Sequence, residues 1–405
     1  MRVVVDFQDD GLEFELPPER LVASWNGPRA GGPSEDVASI RDALENPHDF
    51  PALRHLVVPG DRVVIALDPT IPRPGSIVAE LGHAFEESGV AREDLTVLAM
   101  PGAPGIADLI PIDGSSIQVH DPDDRTQLAY LASTKQGRRV YLSRVLTDAD
   151  VVVPVGRFGY DPDLGYRGPW SVVFPGLSDR DTMRAVRNGG FDASGDDPRG
   201  TDRAALEESF EVNWLLGTQF HIGLLPGADG LLEVVAGRDA TVRDKGIASL
   251  ERHWTFRAPA RAELVVAGVG RPGAPATLKD LTDALATATR LVQHGGKIIL
   301  LSRASGPIGP ALRRLMDVED PKNAAVALRG HEDFDDYRVA RRLARALAWA
   351  DLFVYSALEP QVLEDLSIVA LERPEQARRL VSNSGSISFI SRAELTLVEV
   401  EDEDA

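Results

Sequence analysis

The chain has 405 residues, with 63 acidic against 43 basic side chains and a formal net charge of −20; that length supports more than one hydrophobic core, and that charge, with its Lys and Arg scattered, argues against nucleic acid or an anionic membrane as the main partner. It contains no cysteine, which removes disulfides and thiolate metal sites. No apolar run approaches membrane-spanning length and the N-terminus does not read as a signal peptide, so a soluble, cytoplasmic protein with a small-molecule ligand is expected.

In chain order, Val3–Phe7 and Leu12–Leu16 read as a β-hairpin around Gln8-Asp9-Asp10-Gly11. Glu35–Leu44 has helical spacing, with Ser34 as the candidate N-cap. Arg62–Leu67 reads as a buried parallel strand, followed by a proline-rich tip, Asp68-Pro69-Thr70-Ile71-Pro72-Arg73-Pro74, and a helix from Ser76 to Ser88. Asp68 and Thr70 on that tip are ligand candidates; Asp68 serves equally as a helix cap or a tie for the proline turn. Leu95–Met100 and Ile117–His120 are further strands. His120 is either a base or a turn residue held by hydrogen bonds. Leu128–Ser133 and Arg139–Leu142 flank Gln136-Gly137 as a hairpin.

The stretch Asp150–Asp181 organises the chain. A buried strand, Val151–Val155, gives way to a loop crowded with glycines, aromatics and carboxylates: Gly156, Gly159, Tyr160, Asp161, Asp163, Gly165, Tyr166, Arg167, Gly168 and Trp170. Such loops at strand ends are where α/β proteins place chemistry. Thr182–Val186 is read as helical, Asn188–Gly200 as polar loop, and Asp202–Leu216 as a helix capped by Thr201 or Asp202. A hairpin, Gln219–Leu225 with Leu231–Ala236, carries His221 as a structural residue, and a helix covers Ala240–Trp254.

Past Pro259 strand–helix alternation restarts, through strands Glu263–Ala267, Lys297–Ser302, Leu352–Tyr355 and Ser386–Ile390, and helices Thr277–Gln293, Tyr337–Trp349, Gln361–Val369 and Pro374–Val381. That pattern predicts a second doubly wound parallel sheet. Glu394–Val400 is strand-like and ends in an acidic tail. Gly268-Val269-Gly270-Arg271-Pro272-Gly273 has dinucleotide-fingerprint spacing. Its prolines delay the helix whose amides would meet a pyrophosphate, and the next strand ends in Ser302-Arg303 without a ribose-binding carboxylate. The eight histidines are far apart, so no metal-ligand spacing appears.

Taken together, Asp68-Pro-Thr-Ile-Pro-Arg-Pro74, His120-Asp-Pro122, Asp148-Ala-Asp-Val-Val-Val-Pro154, Gly165-Tyr-Arg-Gly168 and Phe174-Pro-Gly176 resemble the nickel-dependent lactate racemase family in order and spacing. Val235-Ala-Gly237, Gly295-Gly-Lys-Ile-Ile-Leu300 and Gly306-Pro-Ile-Gly309 look similar too. The resemblance implies two α/β domains, each with a largely parallel sheet flanked by helices, and a site in the interdomain cleft. The restart of strand–helix alternation and the leftover strand at the end divide the chain into an N-terminal domain 1–258, joined by a returning segment 391–405, and a C-terminal domain 259–390. The resemblance also implies 2-hydroxyacid racemase or epimerase activity, with a nickel-pincer nucleotide as cofactor and two histidines exchanging the proton.

By the same resemblance, the chemistry-bearing positions differ. The two proton-transfer histidines align with Pro104 and Asp161, the nucleotide-anchoring lysine with Ser171, and the nickel-ligating histidine with Arg187. The arginine of the proline-rich tip aligns with Ile71, and the lysine and glutamine holding the substrate carboxylate fall near Asp283 and Asp280. Serine cannot form the amine linkage, arginine stays protonated and cannot ligate nickel, and proline has no proton to exchange. The sequence therefore predicts a member without the cofactor, binding a small polar or anionic ligand through Asp68, Thr70, Asp163, Arg167, Ser171 and Arg187. The alternative is an active isomerase with Asp161 as a replacement base.

Overall fold

The computed structural model describes residues 1–102, 115–161, 165–189, 204–318 and 320–401, without the side chains of Pro33 and Ser34. Pro104, Asp163, most of Asn188–Gly200, Thr201, Asp202 and the end of the acidic tail lie outside the described residues. Two compact units divide the chain: Arg29–Arg252 form one, and Met1–Pro28 with His253–Ala405 form the other.

The chain opens with an antiparallel hairpin, β1 (Arg2–Phe7) and β2 (Asp10–Glu15), then β3 (Leu21–Trp25). Helix α1 (Pro33–Glu45), β4 (Val63–Leu67), α2 (Pro74–Glu87), β5 (Leu95–Ala99) and β6 (Ser116–Val119) follow. A hairpin, β7 (Leu128–Ser133) and β8 (Arg139–Ser143), runs into the helical turn α3 (Arg144–Thr147). Next come β9 (Val151–Arg157), the short pair β10 (Gly159–Asp161) and β11 (Gly165–Arg167), and helices α4 (Pro169–Val173), α5 (Arg180–Gly189) and α6 (Ala204–Leu216). The hairpin β12 (Phe220–Pro226) and β13 (Leu231–Arg238) leads into α7 (Asp239–Trp254). The remainder holds β14 (Thr255–Ala258), β15 (Ala262–Gly268), α8 (Leu278–Leu291), β16 (Val292–Leu301), α9 (Pro310–Met316), α10 (Tyr337–Trp349), β17 (Asp351–Tyr355), α11 (Pro360–Asp365), β18 (Val369–Ala370), α12 (Gln376–Ser382), β19 (Ile387–Ile390) and β20 (Leu397–Val400).

In the unit Arg29–Arg252 the main sheet runs β13-β12-β9-β4-β5-β6, parallel except for the β12–β13 hairpin. Its inner strands are apolar without alternation because both faces are covered. Val63, Ile65 and Leu67 face a core with Ile40, Ile77, Leu81 and Phe85 of α1 and α2. Val64 and Ala66 face the opposite core, with Val140, Leu142, Val172, Phe174 and Val212. Ile77, Leu81 and Phe85 recur every fourth residue, which puts them on one face of α2.

Beyond Val155 the strand β9 continues through Arg157, and the Phe158 side chain then anchors the chain. A Cβ built on either Gly223 of β12 or Gly246 of α7 would collide with the Phe158 ring. The ring, 1% exposed, therefore occupies space that only two glycines leave open.

In the second unit the sheet order is β18-β17-β16-β15-β19-β3, parallel throughout. Helices α8, α9 and α10 cover one face, packing Ala284, Ala288, Leu312 and Leu343 with Val265, Ala267, Ile298 and Leu300. The β1–β2 hairpin and α12 cover the other, with Val5, Phe14 and Val381 against Leu264, Val266, Ile299 and Phe389.

This corrects the expected partition. Residues 1–28 belong with the second sheet: the alternating Val3, Val5, Phe7, Leu12, Phe14 and Leu16 give the hairpin one apolar face, and that face roofs the sheet beside the short α12. Among the described residues the segment after Ile390 groups with the second unit instead of the first, because β20 pairs with β14 there. The boundary falls at residue 252 instead of Pro259. Smaller corrections reflect local chemistry. Gly32 is the cap residue of α1 in place of Ser34, with Pro33 at the first helical position. The expected helix Gln361–Val369 stops at Asp365, where Ser367 turns left-handed at φ 62°, and Val369–Ala370 becomes strand.

Replacing Gly223 with Ala is expected to destabilise the fold by about 1–3 kcal/mol through overpacking on Phe158. Adding Phe158→Leu to that variant should recover part of the loss. Urea midpoints of the three proteins check this; an unchanged midpoint in Gly223→Ala would remove the clamp.

Candidate functional site

The first unit's proline-rich tip starts where β4 ends. Asp68 is 1% exposed. Its Oδ1 accepts the Thr70 backbone N–H at 2.9 Å and the Thr70 hydroxyl at 2.6 Å, the geometry of an Asx turn. Its Oδ2 accepts from Arg167 Nη2 at 2.7 Å. The Thr70 hydroxyl in turn accepts from Arg157 Nε at 2.9 Å. Asp68 thus ties the proline turn, the alternative to a ligand role in the sequence reading, and also pairs with Arg167.

The two arginines arrive from different strands. Arg157 ends β9, and Arg167 ends β11 opposite Gly159. A Cβ at Gly159 would sit 3.3 Å from Arg167 Cγ and 3.5 Å from Arg157 Nη1, so both side chains run across that glycine. Burial pushes the Asp68 carboxyl up, but the charges of Arg167 and Arg157, with the Thr70 hydrogen bonds, outweigh it and hold the group at about 2. Asp68 is therefore ionised at any ordinary pH. The tip's other end is fastened too: Arg73, left-handed at φ 48°, pairs with Asp36, whose Oδ1 also accepts from the Leu231 N–H at 3.3 Å.

Asp161 lies on β10 in register with Gly165 and is 8% exposed. In the same strand pair the Tyr160 and Tyr166 rings lie 5.8 Å apart, and the Tyr166 hydroxyl donates to Glu251 of α7. Ser171 faces backbone: its hydroxyl accepts the Gly168 N–H and donates to the Gly168 carbonyl, each at 2.9 Å. Arg187 is exposed near the end of α5. Asp163 lies outside the described residues. Of the expected site residues, then, Asp68, Thr70 and Arg167 come together, Asp161 shares the strand pair that carries Arg167, and Ser171 and Arg187 have other surroundings. Arg157 escapes a sequence reading that ends the strand at Val155; its signal is that it is the first charge after the apolar run.

The remaining candidates have structural explanations. His120 is buried with Nε2 2.8 Å from the Ser178 carbonyl, and burial lowers its pKa. His221 is buried in β12 with Nε2 3.0 Å from the Thr218 hydroxyl, and burial lowers it to about 4. In the second unit, the fingerprint-like loop is occupied by the protein itself: Gly270 donates its N–H to Glu394 and Gly273 to Asp9, and the Gln8 side chain fills the space beside Gly270. Among the described residues, no group of three or more His, Cys, Asp or Glu side chains is placed to hold a metal ion, and no helix is long and apolar enough to cross a membrane.

Residues 7–193 match the family described as the lactate racemase N-terminal domain. Among solved structures, the lactate racemase apoprotein from Thermoanaerobacterium thermosaccharolyticum is similar at 16% identity and a TM-score of 0.81, covering 98% of this chain and 100% of that one. A protein from Thermotoga maritima is similar at 12% identity and a TM-score of 0.65, covering 92% and 100% respectively. At these identities the likeness is one of fold. No curated protein sequence matches the chain.

The Asp68 carboxyl makes a specific acid signature. Its acidity in the folded chain, about 2, is lower than its ordinary 3.8, so its contribution is present above pH 3.8 and is lost as pH falls through 2. Asp68→Asn is expected to cost about 3–5 kcal/mol near neutrality, because Arg167 loses its buried partner. Between pH 5 and 2 the parent should lose about 2 kcal/mol that the variant does not. Denaturant titrations across that range check this; parallel pH profiles would show that Asp68 is not held by Arg167.

Proposed function

On the premise that the chain belongs to the lactate racemase family through residues 7–193, we propose that it binds a small polar or anionic molecule at the strand ends of its first unit, without that family's nickel-pincer nucleotide. The observation that carries this reading is the convergence of Arg157 and Arg167 on the Asp68–Thr70 tip. Guanidinium groups present several N–H donors in a fixed fork, suited to a carboxylate or phosphate. The ionised Asp68 holds Arg167 in place, and Arg157, bonded to Thr70 through Nε, is the group assigned to the ligand.

The donor set at the family's cofactor positions does not fit the nucleotide. Ser171 is a primary alcohol engaged with the Gly168 backbone in both directions, and it cannot take the place of an amine. Arg187 carries a permanent charge and no lone pair for a metal. No step of the proposed function passes through nickel. Asp161 would serve as the base in the alternative, an isomerase of 2-hydroxy acids.

Calorimetry with a panel of 2-hydroxy acids and small phosphorylated compounds tests the binding reading. At least one should bind the parent, and Arg157→Gln should weaken it tenfold or more, as expected for about 1.5–3 kcal/mol from a charged hydrogen bond. Equal binding by both proteins removes Arg157 from the site. Stereochemical inversion of a bound 2-hydroxy acid, abolished by Asp161→Asn, would replace the binding reading with the isomerase one. Protein made alongside the cofactor-assembly enzymes should show the unmodified mass and less than stoichiometric nickel; a nucleotide adduct would overturn the cofactor part of the proposal.

A further inference from the structure

In the second unit β15 and β19 are neighbours, yet they connect to opposite faces of the sheet: β15 leads to α8 on one face, and β19 is reached from α12 on the other. Their carboxyl ends lie side by side and both lead to the α8 face, β15 into α8 itself and β19 into the turn Ala393–Leu395 that packs with it. The turn after β19 brings Arg392 and Glu394 there, against the Gly268–Gly273 loop that succeeds β15.

Glu394 is held by one oxygen. Its Oε1 accepts the Gly270 N–H at 3.1 Å. Its Oε2 is buried and has no hydrogen-bond partner among the described residues. The charged groups around it come from each neighbouring element. From α8 there is Asp280, whose carboxylate is fixed by the Thr277 N–H at 2.8 Å and the Thr277 hydroxyl at 2.7 Å; Lys279 of the same helix is tied to Asp283 at 2.6 Å. The β15 loop contributes Arg271. The turn itself contributes Arg392, 4% exposed and left-handed at φ 56°, whose guanidinium donates to the Gly270 and Gln8 carbonyls. The β1–β2 turn contributes Asp9, on the Gly273 N–H at 3.0 Å, and Asp10, paired with Arg303.

We propose that Glu394 is a proton-operated latch: while its carboxyl carries a proton it holds the turn after β19 against the glycine loop after β15, and ionisation releases the turn. A protonated carboxyl suits a pocket that offers Oε2 no donor. An ionised one would place negative charge on a buried oxygen with no donor, beside the fixed carboxylate of Asp280. Release also lets Arg392 leave its left-handed conformation, which is costly for a side chain bearing a Cβ. Burial first, and Asp280 second, raise the carboxyl from its ordinary 4.5 to about 7 against the opposing pull of Arg392 and Arg271. For a raised acid, closure is fully supported below pH 4.5, weakens as pH rises, and has lost that support above 7.

Hydrogen–deuterium exchange of the full chain tests this, read on peptides covering 268–276 and 391–397 and corrected for the intrinsic pH dependence of exchange. In the parent, opening of these segments should increase about thirty-fold between pH 5.5 and 8.5. Glu394→Gln, which keeps an acceptor for Gly270 and cannot ionise, should hold the change below about threefold on the same linkage argument. Asp280→Asn, which keeps a capping oxygen for Thr277, should move the parent's transition to lower pH. A parent whose protection is constant with pH overturns the latch, as does a Gln variant that repeats the parent's loss. Should the Gln variant not fold, an Asp280→Asn transition left in place overturns it.

Discussion

The first unit's site depends on one buried ion pair. Asp68 and Arg167 are 2% and 15% exposed at their side chains, so both charges have left most of their water. Such a pair persists only where the remaining lone pairs and protons are also used. Here the turn provides them: Thr70 gives both its N–H and its hydroxyl to Asp68, then accepts from Arg157. Ends of β4, β9 and β11 are thereby locked together by side chains from four residues. Position in this cluster is fixed by strands and not by loop length.

The second unit's strand ends are arranged differently. Its strand ends are filled by the chain's own β1–β2 turn. Gln8 bonds to the carbonyl of Ala274 and to the N–H of Arg303, while Arg303 also pairs with Asp10. A glycine spacing that reads as a nucleotide fingerprint serves close packing against a side chain instead. Only the amides' actual partners separate the two uses, since fold and spacing are common to both.

That difference marks how far the sequence can be read. Buried parallel strands such as Val63–Leu67 and the Val151–Val155 part of β9 are uninterrupted apolar runs, and α10 begins and ends where its periodicity places it. Strand β3 is not legible because Leu21–Trp25 is short, half-exposed at the sheet edge, and bonded on one side to β19, far along the chain. Assigning 1–28 to the second sheet requires knowing which sheet face the short α12 leaves partly uncovered, which no local window contains. In the site, Asp68, Thr70 and Arg167 are legible because a carboxylate and its turn partner come directly after a strand. Arg157 needs the true end of β9. The surroundings of Ser171 depend on helix α4 starting at Pro169, in a stretch whose aromatics and glycines give no clear period.

The way the units are assembled from the chain has a consequence for biosynthesis. Every strand of the main sheet in Arg29–Arg252 lies between Val63 and Arg238, so that sheet can close as soon as the segment has left the ribosome. The first 28 residues cannot do the same. Among the described residues β3 pairs only with β19, and the β1–β2 hairpin packs its apolar face on strands that begin at Ala262. These residues are made well before the strands on which they dock. Until then Val3, Val5, Phe7 and Phe14 lack the surface they pack against, and exposed apolar side chains of that kind make a folding chain prone to aggregation.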